Sequence, residues 1–210
     1  PMPLPEFFIE PVVELLAQSQ SPYDVPADPT IFDAEWLAPT RSLVLALLTN
    51  VSADAHAGDS VTGAGLTYLS VGSDAERDYS VHLRLAGEGL VVPRSPEEKA
   101  VILTLAGVME LEAFRHEDDV STDTPWYVRQ FEAGRIYASH PGTIHSVEQS
   151  ADAVQLAVSR GAVPAVGRRL GASDFRDAVL RAQELLQSAI ELDTHEKTAV
   201  LSPNPSDPER

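Results

Sequence analysis

The chain has no cysteine in its 210 residues, which removes disulfides, thiolate metal ligands and cysteine nucleophiles from consideration. Positive charge is also scarce. Fifteen Lys and Arg stand against 32 Asp and Glu, a net charge of −17, and Lys99 and Lys197 are the only lysines. Nucleic-acid phosphates and anionic lipid headgroups are recognised by basic side chains, so this balance argues against both as partners. No apolar run approaches the roughly 20 residues that span a bilayer, and no basic-plus-apolar signal segment opens the chain as given. The expectation is a soluble, cytoplasmic protein. With 43% hydrophobic residues the composition is globular, and the length suits one domain with extra segments around a full core.

Proline marks the first forty residues, and Pro11 followed by Val12, Val13, Leu15 and Leu16 reads as a short amphipathic helix. Helical stretches are expected near Ile31–Leu37 and Arg41–Leu48. From Leu66 the apolar period changes to two. Candidate strands are Leu66–Val71, Tyr79–Leu85, Gly89–Val92, Ala100–Leu105, Val108–Phe114, Tyr127–Phe131, Arg135–Ala138, Ser146–Gln149 and Val154–Ser159. Short strands with turns every ten or so residues indicate an antiparallel sandwich or barrel. A helix follows, with Ser173 as N-cap and a stripe of Phe175, Ala178, Val179, Ala182, Leu185, Leu186, Ala189 and Ile190. The stripe reads as a face docked on the domain, with a dimer contact as the alternative. The expected organisation is an N-terminal helical and extended segment (1–65), a β-barrel (66–160), a C-terminal helical segment (161–197) and a disordered tail (198–210).

The informative segment is Gly134-Arg-Ile-Tyr-Ala-Ser-His140-Pro141-Gly142-Thr-Ile-His145-Ser-Val-Glu-Gln149. A Pro-Gly turn between two strands delivers His145 to a fixed point, as a ligand or acid–base group requires. This segment resembles the second motif of the cupin superfamily of small β-barrels, with Gly134, Gly142 and His145 at the motif's spacing. His140 stands in its Pro slot and Gln149 in its Asn slot. The stretch from His145 through Ser159 is similar to the thiol dioxygenases of that superfamily. The first motif, which in the family supplies three of four metal ligands, is only half present. Gly87 and Gly107 have the required separation, but the His slots hold Pro93 and Ser95 (or Pro96), and the Glu slot holds Ala100. Residues 83–115 contain no histidine, although Glu97 and Glu98 lie close to the Glu slot. The resemblance covers roughly residues 66–160 and implies a jelly-roll sandwich with helices at both ends.

A mononuclear iron, zinc or manganese site needs about three protein ligands, and the motif positions supply one, His145. A relocated site would have to gather His82, His116, His140 and His145. Each has a plainer reading. His145 can be a core histidine bonded to a backbone carbonyl, and His140 a turn residue. His82 shares a strand face with Ser80 and Arg84, which is expected to meet solvent if the alternating aliphatic face is the core. In a polar lumen, by contrast, Arg84 would clamp a carboxylate. His116 opens an acidic loop without calcium-loop spacing. Glu110 and Glu112 read as an exposed strand face, and His56 and His195 as exposed. Tyr68, Trp126, Tyr127 and Tyr137 either line a pocket or fill the core. Of the arginines, Arg84, Arg94, Arg115, Arg129 and Arg135 lie within or beside the expected strands, leaving room for a local basic pocket.

Three functions follow as expectations. The first is a cupin-like protein whose metal site has been lost and whose pocket binds a small, anionic molecule through Arg84, His140 and His145, with no cofactor. The second is a metal-independent isomerase, epimerase or cyclase using His145 and Tyr137 as acid–base groups. The third is an iron-dependent dioxygenase on relocated histidines. A homodimer through sheet edges or terminal helices is also expected.

Overall fold

The structure, a computed structural model, describes residues 34–74, 78–96, 99–160 and 167–201. The helix expected after Pro11 lies outside them, as does nearly all of the expected tail. The described residues begin with α1 (Ala34–Asn50), continue through α2 (Ala53–His56) and a short 3-10 turn, and then enter the sheets. The two helical stretches expected between 31 and 48 are thus one helix. Pro39 lies inside it, past the first turn, and its missing N–H removes one bond of the helical ladder.

Among the described residues, ten strands form two antiparallel sheets: β1 (Val61–Gly63), β2 (Leu66–Asp74), β3 (Tyr79–Ala86), β4 (Ala100–Ala106), β5 (Val108–Phe114), β6 (Tyr127–Glu132), β7 (Ile136–Ser139), β8 (Ile144–Gln149), β9 (Val154–Arg160) and β10 (Arg168–Arg169). The larger sheet runs β10-β1-β2-β3-β9-β4-β7 and the smaller β6-β5-β8. A short helix, α3 (Glu117–Ser121), joins β5 to β6, and α4 (Ala172–Leu201) closes the described chain. The expected antiparallel sandwich with flanking helices is the observed architecture. One expected strand is absent. Residues 89–92 are not a strand, and Leu90 is 86% exposed. That loop meets a ladder only at Arg94, bridged to His145.

Alternation along the strands separates the large sheet into two faces. One carries Leu69, Val71, Val81, Leu83, Leu85, Val101, Leu103, Leu105, Leu156 and Val158, and packs with Val44 and Leu48 of α1 and Phe175, Val179, Ala182 and Leu186 of α4. The apolar stripe of α4 is therefore docked on the domain. The two helices are tied together where the buried Arg41 donates from Nε to the Leu105 carbonyl at 2.7 Å and pairs with Asp193. The opposite face of the sheet meets the small sheet, with Tyr68, Ile102, Tyr137 and Ala157 packing on Met109, Phe131 and Val147.

The two motif glycines of the β3–β5 region are required by this geometry. A Cβ on Gly87 would stand 2.3 Å from the Leu66 carbonyl carbon, and one on Gly107, where φ is +65°, would stand 2.6 Å from the Ala153 backbone. Their separation thus serves the close approach of neighbouring chain segments. Among the described residues, no helix is long and apolar enough to cross a membrane.

Candidate functional site

The space between the sheets is polar at its centre. On β3, Val81, Leu83 and Leu85 face the helices, so His82 and Arg84 face the small sheet, with 1% and 7% of their surface exposed. This corrects the expectation that they meet solvent. That expectation assumed a single core on the aliphatic side. Here α1 and α4 cover the aliphatic side while the second sheet covers the other, so both faces are buried and the polar one becomes a lumen.

Register brings further groups to this face. Tyr68 of β2 pairs across the ladder with Arg84, and Gln155 of β9 lies on Arg84's other flank. Thr104 of β4 aligns with Gln155 and Ile102 with Tyr137 of β7. Arg84 donates from one terminal nitrogen to the Tyr137 hydroxyl at 3.0 Å, and its guanidinium carbon stands 5.4 Å from the Tyr68 ring centre. The rings of Tyr68 and His82 lie 5.5 Å apart, and those of Phe131 and Tyr137 5.0 Å apart. Gln149 of β8, Gln155 and Thr104 form a hydrogen-bonded chain to one side.

From the small sheet comes His145, buried on β8 opposite Ala113. Its backbone exchanges both hydrogen bonds with Arg94, at 2.9 and 3.0 Å. Residues paired in this way project to the same side of a sheet, and the Arg94 guanidinium reaches the same aromatic ring as Arg84, 5.2 Å from the Tyr68 centre. Arg94 is a site residue that sequence reasoning missed as such. It sits between Pro93 and Pro96 in a loop with no hydrophobic period, and only its place among the arginines beside strands hinted at it.

The electrostatics follow from burial. Desolvation, then the charge of Arg84, lowers the His82 imidazole from its ordinary 6.5 to about 3. His145 is lowered to about 4 by burial and by Arg84 and Arg94, with a hydrogen bond to the Thr143 backbone pushing the other way. Both imidazoles are therefore neutral near pH 7. Burial also pulls Arg94 below the usual guanidinium range, but arginine stays charged at neutral pH. Several polar atoms of the lumen have no hydrogen-bond partner among the described residues: the Tyr68 hydroxyl, both His82 nitrogens, Arg84 Nε, one terminal nitrogen of Arg94 and the Ser159 hydroxyl.

The remaining candidates lie elsewhere or play structural roles. His116 is exposed at the N-cap of α3, where its side chain and Asp119 form a capping box. His140 is buried in the turn after β7, its carbonyl accepting from the Thr143 hydroxyl at 2.7 Å. Ser95, in a motif His slot, accepts a hydrogen bond from the Gly142 amide at 3.0 Å and so fixes the β7–β8 turn. Arg115, Arg129 and Arg135 are exposed, while Glu110 and Glu112 are half-buried on the outer face of the small sheet. His56 is half-buried and His195 exposed.

The structure thus gathers His82, Arg84, Tyr137 and His145 and adds Arg94 and Tyr68. It does not gather the four histidines of a relocated metal centre, because His116 lies on the surface. Among the described residues, no three His, Asp or Glu side chains are placed to share a metal ion. The two lumen imidazoles are accompanied by guanidinium charge, which opposes a divalent cation. These residues do not fit the three-ligand metal site that the resemblance implies.

No protein-family profile and no curated protein sequence matches the chain. Solved structures similar to it include KdgF from Halomonas sp., with 13% identity over 48% of this chain and 84% of that one and a TM-score of 0.37. An RmlC-like cupin from Shewanella frigidimarina has 12% identity over 49% of this chain and 81% of that one, with a TM-score of 0.36. The 2-hydroxyethylphosphonate dioxygenase of Streptomyces albus, solved with substrate and Fe(II), has 15% identity over 49% of this chain and 23% of that one, with a TM-score of 0.36.

Proposed function

We propose that the protein binds a small anionic molecule in the lumen between its sheets, the metal site of the resembled family having been lost. One observation carries this reading. Arg84 is a buried cation whose Nε has no partner among the described residues, set beside a Tyr68 hydroxyl and His82 nitrogens that likewise have none there. An unpaired buried polar atom costs about 1–3 kcal/mol, and more when charged. A ligand that accepts from the guanidinium and bonds to the imidazole and phenol recovers that cost.

Thermal unfolding tests this reading. A panel of small carboxylates, phosphate and neutral sugars is added to the untagged full chain. An anion present at 100 times its Kd adds about 2.7 kcal/mol of stability, a rise of several degrees in Tm for a chain of this size. The rise is expected in the wild-type protein and not in Arg84→Gln. Stoichiometric iron, zinc or manganese that copurifies with the wild-type chain and is lost in His145→Ala would overturn the reading in favour of a relocated dioxygenase site.

A second reading, a metal-independent isomerase, epimerase or cyclase, draws on a different observation. The Tyr137 hydroxyl, held by Arg84 at 3.0 Å, and the neutral imidazole of His145 belong to the same lumen and provide a proton donor and a proton acceptor. Exchange of a carbon-bound hydrogen of the bound ligand with deuterated water, abolished by His145→Ala, distinguishes catalysis from binding.

A further inference from the structure

Arg84 comes from the large sheet and Arg94 from the loop bridged to β8, yet they converge on one ring, each guanidinium carbon lying within 5.4 Å of the Tyr68 centre. Neither has a salt-bridge partner among the described residues, and no described Asp or Glu lies on the lumen face of β2, β3, β4, β7, β8 or β9 beside them. The imidazoles next to them are neutral near pH 7 and contribute no charge. Among the described residues the lumen therefore holds two positive charges with no counter-charge, and each guanidinium keeps one nitrogen without a partner there, Nε of Arg84 and a terminal nitrogen of Arg94.

Arg84 is buried and Arg94 half-buried with one terminal nitrogen enclosed, and charges withdrawn from water in this way are retained in proteins when they are paired, since a lone buried one costs several kcal/mol. A monoanion would leave one of these two guanidiniums uncompensated. We propose that the ligand is a small dianion gripped at two points, by Arg84 from the large sheet and by Arg94 from the loop beside β8, with His82 and Tyr68 bonding to its uncharged polar groups. This rests on the anion-binding reading above and adds to it the ligand's charge and a second contact residue. A dicarboxylate and a phosphoryl compound both satisfy the chemistry, since guanidiniums bind either through paired N–H groups.

Calorimetric titration of the full chain at pH 8 tests the proposal with four probes: malonate, inorganic phosphate, acetate and glycerol. Malonate, phosphate or both are expected to bind at least tenfold tighter than acetate, and glycerol is expected not to bind. Malonate alone would identify a dicarboxylate, and phosphate alone a phosphoryl compound. In Arg94→Gln the dianion affinity is expected to fall to the acetate level while acetate itself changes by less than threefold. Arg94→Lys, which keeps the charge but not the fork, is expected to retain part of the dianion preference, and it remains informative where Arg94→Gln unfolds. Equal affinity for acetate and the dianions, or an unchanged preference in Arg94→Gln, overturns the dianion while leaving the anion-binding reading standing. Absence of binding by every anionic probe overturns both.

Discussion

His82 and His145 set the pH response of the folded state. Both are held far below the ordinary imidazole value, at about 3 and about 4, whereas in the unfolded chain they titrate near 6.5. Between those values the unfolded chain binds more protons than the folded one, so stability falls with pH in this window. Their contribution is complete above about pH 6.5 and is lost as pH drops towards the folded values, at up to about 1.4 kcal/mol per pH unit for each histidine. Urea unfolding from pH 7 down to pH 4 is expected to show this slope, reduced in His82→Gln. An unchanged slope in that variant would show that other groups set the acid response. An anion in the lumen favours imidazolium and so is expected to flatten the same slope. Where each histidine lies was only partly legible. His145 announces itself through the Pro-Gly turn before it, whereas the burial of His82 depends on which side of its strand is covered.

At the level of elements, α4 and α1 decide what the large sheet does with its two faces. Without them the aliphatic face would have to serve as the sandwich interior, and His82 and Arg84 would turn outwards. With them, the sheet becomes the middle layer of three. Leu186, fully buried against this layer, is expected to cost about 2–5 kcal/mol when replaced by alanine, as core leucines do. Leu192 on the same helix is 65% exposed, and Leu192→Ala is expected to stay within about 0.5 kcal/mol of wild type. Chemical denaturation of the two variants checks the contrast, and similar losses would mean that α4 does not dock through the Leu186 face. The α4 stripe and eight of the nine expected strands were legible because both rest on simple periodicity. The exception, 89–92, has strand-like residues but no neighbouring ladder to pair with, and pairing is not written in local sequence.

Across the whole molecule the net charge of −17 and the cationic lumen act at different distances. The overall field repels an approaching anion, and the two guanidiniums attract it only at close range. Raising ionic strength from about 10 mM to about 150 mM shortens the screening length from roughly 30 Å to roughly 8 Å, which weakens the repulsion before it weakens the contact. The association rate of malonate, followed by stopped-flow with sodium chloride as the added salt, is therefore expected to rise over that range. A falling rate would mean that the lumen's positive potential extends into solvent and steers the ligand from a distance.

What the sequence by itself determined is what periodicity, composition and turn chemistry encode. These are the antiparallel strands, the apolar stripe of α4 and the missing thiolates, while the spacing of Gly87 and Gly107 and the slots held by Pro93 and Ser95 take their meaning from the family resemblance. Only the tertiary structure decided that the polar face of β3 looks inwards and that Arg94 joins Arg84 over Tyr68. It also decided that His116 stays outside. The reason is physical: a strand's alternation separates its two faces but does not say which face is covered. Arg94 and His145 are brought together by a bridge between segments some fifty residues apart, a pairing no local pattern specifies.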